Sequence, residues 1–122
     1  MIRTDAALRM FESLSSAVRL EVYRALVRAG PAGMVAGEIS QALGLPPANL
    51  SFHLKAMTQA GLVAVEQEGR FQRYRAELDA MRDLVAYITD ECCGGNPGFC
   101  LPRSRRPATR VTRAGSGRRG AR

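Results

Sequence analysis

The apolar positions of this chain keep helical period, alternate once, and then return to helical period. Residues 5–13 form a short amphipathic run that predicts a first helix. Val18, Val22, Ala25 and Leu26 fall on one stripe, with Arg19, Glu21, Arg24 and Arg28 away from it, which predicts a second helix capped by Ser15 and stopped by Gly30-Pro31. Ile39, Ala42 and Leu43 give residues 35–43 an apolar side and a third helix. Gly44-Leu45-Pro46 breaks it, Pro47 suits a first helical position, and Gly61 closes a fourth helix from about Pro47 to Ala60. Helix, short glycine-containing turn and helix make a helix-turn-helix pattern.

After Gly61 the period becomes two. Leu62 to Gln67 alternates, Glu68-Gly69 turns, and Arg70 to Ala76 runs back, a hairpin placed as a wing directly behind the fourth helix. Leu78 to about Glu91 returns to helix, with Met81, Leu84, Val85 and Ile88 on one face. The predicted fold class is α+β, mostly α: a winged helix-turn-helix. A core of roughly 90 residues cannot cover two further apolar helix faces. The N- and C-terminal helices are therefore expected to form a dimer interface across a twofold axis.

Charge divides the chain. Of 18 basic and 11 acidic residues, residues 1–91 hold ten bases and all eleven acids, a net charge of −1; residues 92–122 hold eight arginines and no acid, a net charge of +8. Three segments follow: a DNA-binding and dimerisation domain over 1–91, a cysteine segment over 92–102, and an Arg-rich tail over 103–122 expected to be disordered. The tail either adds phosphate contacts or is only solvated. Bulk charge does not imply nucleic-acid binding for the domain, so that reading must come from its motif. No apolar run approaches the ~20 residues of a membrane span and no signal core opens the chain, so a cytoplasmic location is expected.

Projected at 100° per residue, the fourth helix turns Leu50, Leu54 and Met57 to the core and Ala48, Ser51, Phe52, Lys55 and Gln59 outward. The candidate DNA-binding set on this helix is Ala48, Asn49, Ser51, Phe52, His53 and Lys55. Ser51 and Lys55 suit phosphate or base edges, and Phe52 suits thymine methyl groups. An outward Phe is otherwise a partner surface or a stray apolar residue. His53 borders the core and is either a hydrogen-bonded structural residue or a phosphate contact. In the wing, Arg70 and Arg73 are candidates for backbone or minor-groove contact.

The three cysteines, Cys92, Cys93 and Cys100, all follow the last predicted helix. Gly94-Gly95 frees the adjacent pair from helical divergence, and Asn96-Pro97-Gly98 can turn Cys100 back toward it. Three thiols suit a pyramidal soft ion such as As(III) or Sb(III); a tetrahedral zinc site lacks a fourth protein ligand. Ordinary thiols and a redox sensor pairing Cys100 with one neighbour stay open. A different class, a cytosolic thiol-disulfide enzyme or metalloid carrier, stays open, but it would need a cysteine beside a base or in a Cys-x-x-Cys turn and the chain has neither; the chain is read as a non-enzyme that requires no cofactor.

Three runs resemble the ArsR/SmtB family of metal- and arsenic-responsive repressors: Leu14-Ser15-Ser16-Ala17-Val18-Arg19-Leu20-Glu21-Val22, Leu50-Ser51-Phe52-His53-Leu54-Lys55 with Ala60-Gly61-Leu62-Val63, and Glu68-Gly69-Arg70 with Tyr74. Their order and spacing are specific together, and the resemblance spans roughly residues 5–100. It implies a homodimer that binds an inverted-repeat operator on double-stranded DNA and leaves it when an inducer binds. One family type carries a cysteine pair in the helix before the recognition helix; here residues 35–43 hold no cysteine. Another binds zinc through His and Asp on the paired last helices; here the last helix has no His. What remains resembles the arsenic-responsive members whose last helix ends in adjacent cysteines, with Cys92, Cys93 and Cys100 as the inducer ligands. The competing expectation within the same fold is thiol-redox sensing or another soft metal.

Overall fold

A computed structural model describes residues 2–90 of the chain. Its first compact unit runs to Ile88. The elements are α1 (Thr4–Leu14), α2 (Ala17–Ala29), a 3-10 turn (Gly30–Ala32), β1 (Met34–Val35), α3 (Ala36–Leu43), α4 (Pro47–Gln59), β2 (Val63–Glu68), β3 (Phe71–Ala76) and α5 (Leu78–Ile88). The mostly helical winged helix-turn-helix expected from the sequence is the fold observed. No helix among the described residues is long and apolar enough to cross a membrane.

The core collects the predicted stripes. Val22 and Leu26 of α2, Ile39 of α3, and Leu50, Leu54 and Met57 of α4 are almost wholly buried, joined by Leu62, Val63 and Leu84. Burying a side chain of this kind stabilises by about 1.5–3 kcal/mol, so the helix-turn-helix is anchored by many such contributions. The cap of α2 is Ser16, whose Oγ accepts from the Arg19 N–H at 3.3 Å. Ser15, the expected cap, instead ends α1, its N–H bonded to the Glu12 carbonyl. The shift follows from reach, because a cap oxygen serves the amide three residues on.

The sheet is larger than the sequence led us to expect. Met34 and Val35 pair antiparallel with Tyr74 and Arg73, giving strand order β1-β3-β2. A two-residue strand shows no periodicity, and Val35 reads as the start of the next helix. It is the N-cap of α3, and its N–H donates to the Glu38 carboxylate at 3.0 Å. The wing proper pairs Val63 to Glu68 with Ala76 to Phe71, leaving a two-residue loop in which Gly69 takes φ 62°, the positive angle that tight hairpins require.

Gly33 fixes how the sheet meets the end of α2. It is buried and adopts φ 63°, ψ −166°, a region that essentially only glycine occupies. A Cβ there would lie 2.4 Å from the Tyr74 carbonyl oxygen and 2.7 Å from Arg75 Cγ. Gly33→Ala is expected to cost about 3 kcal/mol. The check is the denaturant midpoint; an unchanged midpoint would refute this account.

Candidate nucleic-acid interface

The corner between α3 and α4 sets the angle of the reading helix. Gly44 caps α3 in the left-handed region at φ 67°, and its N–H bonds to the Ser40 carbonyl. The Leu45 N–H reaches the same carbonyl at 3.0 Å, while Ser40 Oγ donates to the Leu45 carbonyl. Pro46 and Pro47 then open α4, Pro47 at a position where no N–H is needed.

With Leu50, Leu54 and Met57 committed to the core, Ala48, Asn49, Ser51, Phe52 and Lys55 are all exposed on α4. Phe52 is 66% exposed. No acidic residue lies anywhere in α4, so the surface repels no phosphate of its own accord. Ala48, Ser51, Phe52 and Lys55, with Gln59, which is also exposed, are the outward set expected from the helical projection; Asn49 is exposed beyond it.

His53 is half-buried and accepts at Nδ1 from Arg19 Nε of α2, at 3.0 Å. The Arg19 guanidinium carbon lies 5.8 Å from the centre of the Phe52 ring, and the Phe52 and His53 rings meet edge-to-face at 5.6 Å and 68°. Arg19 is the residue in contact with this row that sequence reasoning missed. Helical periodicity places it off the core stripe of α2 but says nothing of a partner 34 residues away.

The two wing arginines separate. Arg70 occupies the loop at the wing tip rather than the strand expected for it, because pairing begins at Phe71; it is exposed and makes no ion pair among the described residues. Arg73 donates from Nε to Glu68 at 2.9 Å and from Nη1 to the Ala32 carbonyl at 3.0 Å. Arg75 donates from Nη1 to Glu66 at 2.7 Å and from Nε to the Pro31 carbonyl at 2.8 Å. Surface ion pairs contribute at most about 1 kcal/mol each, but these tie the wing to the turn after α2. Arg73 thus has a structural commitment that Arg70 lacks. Between Arg73 and Arg75 in the strand, Tyr74 is buried; desolvation holds its phenol above its ordinary pKa, and the neutral hydroxyl donates to Gln72 Oε1 at 3.1 Å.

The other expected site, Cys92, Cys93 and Cys100, lies outside the described residues, as does the Arg-rich tail. Among the described residues no group of three or more His, Cys, Asp or Glu side chains is placed to hold a metal ion.

Known proteins give the arrangement a context. Residues 14–66 match a helix-turn-helix domain family. No curated protein matches the chain. Among solved structures, an ArsR-like transcriptional regulator from Rhodococcus sp. RHA1 is 26% identical, with 69% of this chain and 76% of that one covered at a TM-score of 0.62. The homodimeric winged helix-turn-helix DNA-binding domain of a possible ArsR-family regulator from Mycobacterium bovis is also 26% identical, over 75% and 85% of the two chains, at 0.58. HlyU from Vibrio cholerae is 25% identical, over 70% and 92%, at 0.57. The chain is thus similar to helix-turn-helix DNA-binding transcriptional regulators, ArsR-family members among them.

Proposed function

We propose that the protein is a homodimeric repressor that binds an inverted-repeat operator and is released when trivalent arsenic or antimony binds Cys92, Cys93 and Cys100. The observation that carries the DNA half is the exposed, acid-free row on α4 between a helix-turn-helix corner and a wing. Two such helices related by a twofold axis would enter successive major grooves about 34 Å apart. Ser51, Phe52 and Lys55 face the bases and phosphates, with Ala48 and Asn49 at the entering end of the helix and Arg70 at the flank.

The inducer half rests on the thiols that follow α5, which ends at Ile88. As(OH)3 and three thiols condense to a tris-thiolate with loss of three waters, so no oxidant is consumed. The cysteines follow the reading head in sequence and are not part of α4. Inducer and DNA therefore act on each other through the dimer, and DNA must weaken inducer affinity by the same factor as the reverse.

The test uses a duplex selected by the protein from a randomised pool. Arsenite or antimonite should dissociate the complex at reducing-buffer conditions where diamide is without effect. Release by diamide and not by arsenite would replace this reading with redox sensing. A separate measurement tests the face itself. Lys55→Ala should lower affinity across sequences and reduce the salt slope by about 1; an unchanged slope would remove Lys55 from the phosphate contacts.

A further inference from the structure

Arg19 stands in the first turn of α2, three residues after the Ser16 cap. Its side chain leaves that helix and meets α4. One side chain makes two contacts there, a hydrogen bond to His53 and a cation–π contact with Phe52. The partners are themselves packed edge to face. No carboxylate pairs with Arg19 among the described residues. Two of the sequence runs that carry the family resemblance thus meet in space at this point.

We propose that Arg19 is a positioning residue for the DNA-reading surface: it fixes His53 as the tautomer protonated at Nε2 and holds the Phe52 ring in its outward pose. The inference rests on the DNA-binding reading of α4. An arginine only donates, so Nδ1 of His53 must accept, and the proton of the neutral ring is on Nε2. The buried side-chain polar atoms without a partner among the described residues are Ser13 Oγ and Tyr23 Oη. His53 Nε2 makes no hydrogen bond among the described residues and is not one of these fully buried atoms, on a residue that is half-buried. It therefore offers an N–H to a phosphate or base acceptor without the ring becoming charged.

A ring left to exchange tautomers would present a lone pair to the same phosphate for part of the time. The two roles considered for His53 are thereby compatible: one edge of the ring is structural and the other is left for the phosphate. Phe52 gains in the same way. An apolar ring 66% exposed has little packing to hold its rotamer, and the guanidinium supplies a fixed neighbour. Ordering these side chains before DNA arrives lowers the entropy lost on binding.

His53 is the sole histidine, so long-range proton–nitrogen correlation of the full-length protein reads its tautomer without assignment. Wild type should show a protonated Nε2 and an unprotonated Nδ1; the opposite tautomer, or an exchange average, overturns the proposal whatever any variant does. Arg19→Ala should give the averaged signature and lose about tenfold in affinity for the selected duplex, with dimerisation and thermal midpoint unchanged. Arg19→Lys keeps the charge but loses Nε and the flat guanidinium, and it should bind no better than Arg19→Ala. Full restoration by lysine would mean that charge alone matters and would sink the positioning role, as would wild-type affinity in Arg19→Ala. A wild-type protein with the stated tautomer that selects no duplex would overturn the DNA-binding reading instead.

Discussion

Phe11→Asp combined with Ile88→Asp is expected to leave a folded monomer that has lost operator affinity on the order of 10³-fold or more. On α1, Ala7 and Met10 are buried while Leu8 and Phe11 are 61% and 42% exposed. On α5, Leu84 is buried while Val85 and Ile88 are 45% and 55% exposed. Thr4 Oγ1 and Tyr87 Oη are hydrogen-bonded, so the two helices are neighbours. Each helix thus spends one apolar face on the core and leaves a second in water. Covering these faces with a second copy would remove that exposure. Two carboxylates on each copy would be desolvated without partners, at several kcal/mol apiece. The substituted side chains already meet solvent in the monomer, so its own fold should be little affected. Each half-site would then be bound alone, and the specific contacts of the other half would be lost. Light scattering gives the mass and retardation gives the affinity. A variant that remains dimeric would move the interface elsewhere.

Replacing Cys92, Cys93 and Cys100 together by serine is expected to abolish release by arsenite while leaving operator affinity within twofold of wild type, an operational margin of about 0.4 kcal/mol. Serine is nearly isosteric, but its hydroxyl is a hard, weakly acidic donor that does not displace water from As(III) as a thiolate does. The α4 surface contains none of these residues. A graded series sharpens the result. A monomethylated arsenical needs two thiols, so Cys100→Ser should still respond to it while responding poorly to arsenite. Release of the triple variant by arsenite would show that the inducer site has been misassigned.

Much of this architecture is legible in the sequence because each helix carries an unambiguous apolar stripe. Val22 and Leu26, Leu50 and Leu54, and Leu84 are all buried as their spacing requires. Glycine and proline punctuate the chain where elements stop. The misses have different causes. The strand at Met34–Val35 is held by pairing with β3 rather than by any local preference. Arg70 enters the loop because the hairpin register closes at Glu68 and Phe71, a detail alternation does not encode. Arg19 meets the exposed row only through tertiary contact with α4. A helical wheel shows which side a residue leaves from; it does not show what a long side chain reaches.

The junction of β1 and α3 has a consequence for how the domain melts. Val35 closes the strand and Ala36 opens the helix with no residue between them. Arg73 and Arg75 of β3 bond the carbonyls of Ala32 and Pro31 just upstream. The wing is therefore tied to the helix-turn-helix through β1 as well as through the connection from α4 to β2. Amides of β3 and α3 should exchange with deuterium at one common opening free energy, as a single cooperative unit. A signal arriving at this domain would then displace it whole, with the wing riding on the recognition helix as a fixed blade.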